Sequence, residues 1–337
     1  MIYFKSIRFS WIERFYYEVY FKKAFANDTS YFSCCFFSFA IIEIAPGDVL
    51  MHYIRPNMTN EEIEELKEEL GLNDGIVEKF CGWGKNVLKG NWGYSQINHR
   101  SVTEQIKEKL PATIGLMGAA LILSIVMSIP LGLISGVNKG KPIDRIISDI
   151  SYIGISIPPF WFGIMLIIVF SLKLNWLPSM GMRTVGVDSV WDVIKHGILP
   201  AIVLSTKNTA VFTRYIRANT ISQMEEEYVD TAISKGASKN RIVYCHVMKN
   251  CLLPIITLAG MNLSGLVVGS FIVESVFSWP GMGTLGMAAI NARDYPVIMG
   301  FTMISCVILI LGNFIADILY GICDPRIDQR EGDEVDG

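Results

Sequence analysis

The stretch LPATIGLMGAALILSIVMSIPLGLISGVN, residues 110–138, carries no charged side chain. A helix needs about 20 apolar residues to cross the hydrocarbon core of a membrane, and this stretch is longer than that. Three further uncharged stretches are also long enough, namely residues 150–172, 250–273 and 295–316. Because the core of a soluble protein cannot bury four such stretches, we predict a polytopic membrane protein.

Two other segments are weaker candidates for membrane spans. Residues 197–213 are uncharged apart from Lys207, and residues 29–42 are uncharged but short. With both included, we predict an all-α protein of about six transmembrane helices. Residues 275–292 are uncharged as well, but Pro280 and the glycines around it favour a loop or a partly re-entrant segment, since every backbone polar group in lipid must find an internal partner.

The composition agrees with a membrane protein and excludes other classes. Of the 337 residues, 51% are hydrophobic and only 18% are charged, which is below the roughly 25% of an average soluble domain. The formal net charge of -3 argues against a nucleic-acid partner. The four histidines show no spacing typical of metal ligands, so we predict no metal site.

The distribution of basic residues predicts the orientation of the chain. The segments that lie inside if the N-terminus is inside hold 16 Lys and Arg in 89 residues: 1–29, 138–146, 214–249 and 323–337. The two short loops 171–197 and 277–297 hold 4 in 48. Because short cytoplasmic loops are enriched in Lys and Arg, we predict that both termini are cytoplasmic.

The segment EEEYVDTAISKGAS, residues 225–238, has the pattern of a short helix followed by a tight turn. Glutamates begin it and Lys235 ends it, which suits the helix dipole, and Gly236 stands where a glycine commonly ends a helix. An apolar stripe follows the i, i+3, i+4, i+7 spacing: Val229, Ala232, Ile233 and Gly236. Such a helix either lies in a groove of another protein or packs on its own chain, and the spacing favours neither.

Residues 227–236, EYVDTAISKG, followed by His246, Lys249, Asn250 and Pro254, resemble the EAA-type loop of binding-protein-dependent ABC transporter permeases. The resemblance is to the dipeptide, oligopeptide and nickel branch, and to the first of its two permease subunits. Eight other segments occur in the order found in that family: APGD (45–48), GYS (93–95), LPAT (110–113), PPFW (158–161), LPA (199–201), FSWPGMG (277–283), ARDYP (292–296) and DPR (324–326).

The resemblance implies a type I ABC importer permease fold and a function as half of a translocation pore for di- or oligopeptides. Import of a nickel chelate by the same kind of permease is the alternative. The implied partners are a sister permease subunit, two ATPase subunits, an extracytoplasmic substrate-binding protein and membrane lipid. The chain has no Gly-rich phosphate loop, so we predict no enzymatic activity and no cofactor on it, with ATP and Mg²⁺ bound by the ATPase subunits. The implied location is the inner or plasma membrane of a bacterial or archaeal cell.

The resemblance also implies an ATPase-coupling loop, whose residues are Glu227, Tyr228, Val229, Thr231, Ala232, Ile233, Lys235, Gly236, His246, Lys249 and Asn250. Lys207 and Asn208, within a predicted span, are candidates for the pore or a subunit interface, because a charged side chain in lipid is costly. Pro158 and Pro159 are candidates as well, since prolines interrupt helices and free carbonyl groups.

Four regions follow from these patterns. Residues 1–44 form an atypical N-terminal segment with a weak first transmembrane helix, and residues 45–109 form an extracytoplasmic loop that contains a capped acidic helix at 61–70. Residues 110–322 form the core permease domain, with the coupling loop at 225–250. Residues 323–337 form a cytoplasmic tail.

Two other function classes compete with the permease. A secondary transporter usually places carboxylates or broken helices in paired repeats, and spans two to five contain no Asp or Glu. An intramembrane enzyme would need a catalytic constellation at membrane depth, for which Lys207 alone is thin support. Copurification with an ATPase pair separates the permease from both.

Overall fold

The computed structural model describes residues 33, 35–41 and 75–323. In these residues the regular structure is helical, and extended backbone pairs only at an isolated bridge between Tyr94 and Ser101. The chain divides into two compact units. The first holds the residues up to Ile106 together with Ala288–Ile310, and the second holds Lys107–Met287 together with the residues from Leu311 onward.

The first unit contains a small aromatic core around helix α1, Ile76–Leu88. Residues 33 and 35–41, part of the weak first span, are helical. Cys35, Phe80 and Met303 are buried together there, with the rings of Phe36, Phe39 and Trp83 packed against them. The predicted acidic helix at 61–70 and the cytoplasmic tail beyond residue 323 lie outside the described residues.

The uncharged stretch 110–138 lies almost wholly in one long helix, α2, which spans Val102–Val137. Pro111 and Pro130 lie inside this helix without ending it. Apolar side chains occur on all of its sides, as expected for a helix that is buried or surrounded by lipid.

The next predicted span, 150–172, is broken by its prolines. Helix α3 spans Pro142–Ser156, and helix α4, Pro159–Leu166, continues into the π-helical segment π1, Ile167–Lys173. The two helical rods meet at an angle of 107°. Ile157 is extended (ψ 125°) because a residue before proline is pushed out of the helical region.

Helix α5 spans Val190–Met224 and includes Pro200 without a break. The helices that follow are α6 (Glu227–Ser234), α7 (Lys239–Arg241), the π-helical segment π2 (Ile242–Val247), α8 (Met248–Met261), α9 (Leu263–Phe277), α10 (Met282–Ala292) and α11 (Tyr295–Cys323). Helices α3, α4, α8 and α9 all pack against α5. Helix α5 begins at a cap, since Ser189 Oγ accepts the Trp191 N–H at 3.2 Å.

The predicted span 250–273 is interrupted at Asn262, between α8 and α9. The Asn262 side chain donates to the Leu258 carbonyl at 2.7 Å, and the same carbonyl accepts the Asn262 N–H at 3.0 Å. The loop expected within 275–292 is shorter than we predicted, because residues from Met282 onward form α10.

Within the described residues, two helices are long and apolar enough to cross a membrane, α2 and the Tyr295–Ile315 part of α11. The bent pair of α3 and α4–π1 is a third candidate, either as a broken span or as a re-entrant loop. Helix α5 contains the polar residues Lys207 and Asn208 in its middle, and α8 and α9 are short individually.

Helices α2 and α5 approach closely at two glycines, Gly132 and Gly136. A Cβ on Gly132 would lie 2.4 Å from the Cβ of Ile216, and one on Gly136 would lie 2.5 Å from the Cβ of Thr220. Two small residues four positions apart form a flat strip on α2, which allows the two helices to pack closely.

Candidate functional site

The predicted coupling segment folds as the short helix α6, and Gly236 follows its end in the left-handed conformation (φ 77°). The Gly236 N–H donates to the Ile233 carbonyl at 2.8 Å, and the Ala237 N–H donates to the Ala232 carbonyl at 3.0 Å. These two bonds make the Schellman motif. The predicted helix with a glycine end is therefore confirmed, although it begins at Glu227 and not at Glu225.

The apolar stripe of α6 is divided between the core of this chain and the surface. Val229 is 1% exposed, and half-buried Ala232 packs against the same cluster. Besides Val229, the buried members of this cluster are Ile242, Val247 and Cys251. Ile233, in contrast, is 55% exposed. Val229 and Ala232 thus pack on their own chain, and Ile233 is the apolar residue of the stripe that another protein can reach.

Two predicted residues of the loop, Tyr228 and Asn250, meet at a residue that the sequence patterns did not single out. Gln223 Oε1 accepts the Tyr228 hydroxyl at 2.9 Å and the Asn250 side-chain N–H at 2.9 Å. Burial raises the pKa of Tyr228, so its hydroxyl keeps the proton that it donates. Gln223 is uncharged and precedes the recognisable motif, which is why no sequence signal points to it.

The other predicted residues of the coupling loop lie at the surface. The exposed ones are Glu227, Thr231, Lys235, His246 and Lys249. Thr231 Oγ1 donates to the carbonyl of Glu227 at 3.0 Å. The exposed part of the loop is therefore mostly polar, with Ile233 and Tyr244 as its large apolar side chains.

A buried carboxylate links α3 to α5 near the same end of α5. The Arg217 guanidinium donates to both oxygens of Asp144, from Nε at 2.6 Å and from Nη2 at 2.9 Å. Ser135 Oγ and the Gly140 N–H complete the shell at 2.6 and 2.8 Å. A paired Arg–carboxylate contact of this geometry fixes orientation as well as distance. The sequence patterns gave no partner for Arg217.

A second buried carboxylate, Glu274 of α9, holds the loop that leads into α10. Glu274 is fully buried, and its Oε2 accepts the Gly283 N–H at 2.6 Å. Thr113 Oγ1 accepts the Met282 N–H at 2.7 Å, and Trp279 Nε1 donates to the Ala112 carbonyl at 3.0 Å. Two motifs of the resemblance, LPAT and FSWPGMG, are thus brought together. Thr113 and Glu274 accept from the first two N–H groups of α10, which have no partner within the helix.

Gly281 explains why this loop is so close to the carboxylate. A Cβ at this position would lie 2.4 Å from Glu274 Oε2 and 2.5 Å from Thr113 Oγ1, so only glycine fits without displacement. Glu274 is the only charged residue between position 250 and position 292, and this isolation was the available sequence signal.

Two further motifs meet in the first unit. Asp294, which is 4% exposed, accepts the Ser95 hydroxyl and, at 3.1 Å, the Gln96 N–H. The GYS and ARDYP segments therefore form one hydrogen-bonded contact. Gly93 has φ 85°, so the turn before Ser95 uses a conformation that glycine adopts without strain.

The predicted pore or interface residues occupy different environments. Lys207 is exposed in the middle of α5, and neighbouring Asn208 is 6% exposed. No ion pair involves Lys207 within the described part of the chain. Pro158 is exposed and Pro159 is half-buried at the 107° bend between α3 and α4.

Acidic and histidine side chains in the first turns of α5 serve the local fold. Asp192 accepts the Thr184 N–H at 2.6 Å and its hydroxyl at 3.0 Å, and these bonds lower the pKa of Asp192. His196 Nδ1 lies 2.8 Å from the carbonyl of Asp192. In the residues from 75 to 323 and the short helical piece before them, no group of three His, Cys, Asp or Glu is placed to hold a metal ion.

Residues 128–329 match the family model described as the binding-protein-dependent transport system inner membrane component. The chain is 41% identical over 293 residues to the oligopeptide transport system permease protein AppB of Bacillus subtilis (strain 168), with 86% of this chain and 93% of that protein covered. It is 32% identical over 318 residues to a di/tripeptide transport system permease of Pseudomonas aeruginosa (strain UCBPP-PA14), with 88% and 95% covered.

A glutathione transport system permease of Escherichia coli (strain K12) is 33% identical over 289 residues, with 86% of this chain and 92% of that protein covered. Among solved structures, an inward-facing form of the MetNI methionine ABC transporter matches with a TM-score of 0.52 and 18% identity, covering 66% of this chain and 97% of that chain. This structural likeness shows the fold. Together with the helices and motif contacts above, the comparisons show that this chain belongs to the family of binding-protein-dependent transport system inner membrane components, which are ABC transporter permeases.

Proposed function

We propose that this chain forms one half of the pore of an ABC importer and that the imported substrates are di- or oligopeptides. The permeases named for oligopeptides, di- and tripeptides and glutathione support the peptide class, because the similarity extends over 92–95% of each of them. Glutathione is itself a modified tripeptide, so all three names fall within one chemical class. Each protein of this kind supplies helices to a pore, and delivery of the substrate falls to a separate binding protein.

The geometry of α6 carries the proposal of coupling to ATPase subunits. Its inner face is anchored by Val229, and its outer face presents Ile233 together with exposed polar residues. A rigid helix anchored on one side and exposed on the other suits insertion into a groove of an ATPase subunit. Closure of an ATPase pair would then move the groove, and α6 would transmit that movement to the pore.

The remaining partners and the orientation belong to the same proposal. A sister permease subunit completes the pore, two ATPase subunits bind ATP and Mg²⁺, and a substrate-binding protein docks on the extracytoplasmic side. The bias in Lys and Arg supports a cytoplasmic position for α6 and for both termini. The membrane is the inner or plasma membrane of a bacterium or archaeon.

Reconstitution tests the proposal directly. The chain is coexpressed with the permease, ATPase and binding-protein genes that neighbour it, purified through a tag on this chain, and placed in proteoliposomes. We expect the ATPase subunits to copurify and radiolabelled trialanine to accumulate only with ATP. Unlabelled di- and tripeptides should compete, whereas free Ni²⁺ should not. Uptake of ⁶³Ni²⁺ without uptake of peptides would replace the peptide proposal by the nickel alternative, and absence of copurifying ATPase would contradict the importer itself.

A further inference from the structure

Gln223 lies where helices α5, α6 and α8 come together. Its Oε1 accepts one hydrogen bond from Tyr228 of α6 and one from Asn250 of α8, each 2.9 Å long. One oxygen on α5 therefore contacts two other helices. Tyr228 is half-buried and Asn250 is exposed, so this junction lies at the border between the apolar cluster and the surface.

The rest of the contact between α6 and its own chain is apolar. Val229 packs among Ile242, Val247 and Cys251, with Met224 and Ala232 around them. Apolar contacts are strong but non-directional, so they resist separation of α6 better than they resist rotation or sliding. Hydrogen bonds depend steeply on angle and distance. The Tyr228–Gln223 bond is accordingly a contact that fixes the register of α6 against α5, and the Asn250–Gln223 bond ties α8 to the same oxygen.

The face of α5 that contains Gln223 makes polar contacts at every turn nearby. Arg217 pairs with Asp144 of α3, and Thr220 Oγ1 lies 3.7 Å from Cys251 Sγ of α8. Residues 217 and 220 are neighbours on the surface of the helix, and so are residues 220 and 223, because each pair is three positions apart. A movement of α6 that reaches Gln223 therefore reaches a side of α5 that is already bonded to α3 and α8.

We propose that Gln223 is a positioning residue for coupling, and that its two hydrogen bonds transmit the displacement of α6 to α5 and α8. This inference rests on the proposed importer function. It assigns a mechanical role to a residue outside the recognisable coupling motif. In its absence α6 would still bind the ATPase subunits, but its movement would be partly lost as sliding over the apolar cluster.

Gln223→Leu, Gln223→Glu and Tyr228→Phe test the proposal in the reconstituted complex. Leucine removes the acceptor at nearly the same size, glutamate keeps an acceptor oxygen, and phenylalanine removes only the donor. The ratio of trialanine transported to ATP hydrolysed is measured, together with amide exchange of residues 227–234 by mass spectrometry. Lys139→Gln is the matched control, because it removes the exposed ion pair between Lys139, which lies between α2 and α3, and Glu225, two residues after Gln223. Such an exposed pair contributes little.

We expect Gln223→Leu and Tyr228→Phe to lower transport per ATP and to raise amide exchange in α6, each by about fivefold, the factor that corresponds to one neutral hydrogen bond. Combining Gln223→Leu with Tyr228→Phe should cost no more than the two single losses added together, because both variants remove the same hydrogen bond. Gln223→Glu should restore coupling. Wild-type values for both Gln223→Leu and Tyr228→Phe would overturn the inference. Failure of the wild-type complex to transport trialanine would instead contradict the proposed function, and the exchange measurement would still decide whether Gln223 holds α6.

Discussion

At the scale of single residues, Glu274 is the residue whose hydrogen bond contributes most clearly to the stability of the chain. Its carboxylate accepts the Gly283 N–H in a fully buried position, so removing the acceptor leaves that N–H without a partner. We expect Glu274→Leu to lower the stability of the purified chain by about 1–3 kcal/mol. Glu274→Gln keeps an acceptor oxygen and should remain near the wild type. Thermal unfolding in detergent measures both, and equal melting temperatures for leucine and wild type would contradict the role of this bond.

The role of Lys207 depends on what surrounds the chain at this position. It is exposed in the middle of α5, and a lysine facing lipid at the centre of a membrane costs roughly 2.5–3.5 kcal/mol on insertion scales. We therefore expect Lys207 to face the translocation path or the sister subunit, and Lys207→Leu to reduce transport or the yield of assembled complex. Lys207→Arg retains the charge and serves as the control. Unchanged transport and yield in the leucine variant would show that the lysine is merely tolerated.

At the scale of elements, we predict an effect at the end of α6 that depends on backbone conformation alone. Gly236 has φ 77°, and no atom lies within 4 Å of a Cβ built there. Any effect of substitution must therefore come from the left-handed backbone, which costs a side chain roughly 1–2 kcal/mol and a β-branched one more. We expect Gly236→Val to abolish uptake while the permease still inserts, whereas Gly236→Asn should retain most of it, because asparagine tolerates this conformation.

Ala232→Arg tests the inner face of the same helix, α6. Since Ala232 packs against the cluster around Val229, arginine there would lift α6 from its own chain. We expect uptake to be lost and the ATPase subunits to dissociate or to lose stimulation by substrate. Copurified ATPase and uptake are measured for this variant and for Glu64→Gln, a change in the predicted extracytoplasmic loop, as a control. Normal uptake in both Gly236→Val and Ala232→Arg would show that α6 is not the coupling element.

The packing of α2 on α5 is testable with single methyl groups. A Cβ on Gly136 would meet Thr220 at 2.5 Å, whereas one on Gly115 of the same helix has open space. Gly136→Ala should destabilise the chain by about 1–3 kcal/mol through overpacking. Gly115→Ala should be neutral or slightly stabilising, because alanine favours the helix more than glycine does. Thermal unfolding of both variants in detergent decides, and a stabilised Gly136→Ala would contradict the close approach of the helices.

At the scale of the whole molecule, exposed cysteines test the predicted topology. Cys81 and Cys245 are both exposed, and the Lys and Arg bias predicts that the first is outside and the second inside. In variants retaining one cysteine each, we expect a membrane-impermeant maleimide to label Cys81 in intact cells and Cys245 only after permeabilisation. The opposite pattern would invert the orientation proposed for both.

The length of the uncharged stretches was enough to predict the helical membrane fold, and the order of the motifs was enough to predict the family. The patterns did not predict the interruption at Asn262, between α8 and α9, because this residue brings neither a charge nor a proline into the uncharged stretch. They also could not pair the buried polar groups. Glu274 and Thr113, or Asp144 and Arg217, are far apart in sequence, and their partnership depends on how helices pack. Gln223 lacked even a charge to draw attention to it.

The contacts that hold the FSWPGMG loop have a consequence for the order of synthesis. Trp279 follows its partner Ala112 by 167 residues, and Met282 follows Thr113 by 169. At 5–20 residues per second, the ribosome takes roughly 8–34 seconds to supply the second member of each pair. Throughout that interval the start of α2 is already made, while the N–H groups that it will bind do not yet exist. The two ends of this contact therefore close late, after every helix from α3 to α9 has left the ribosome.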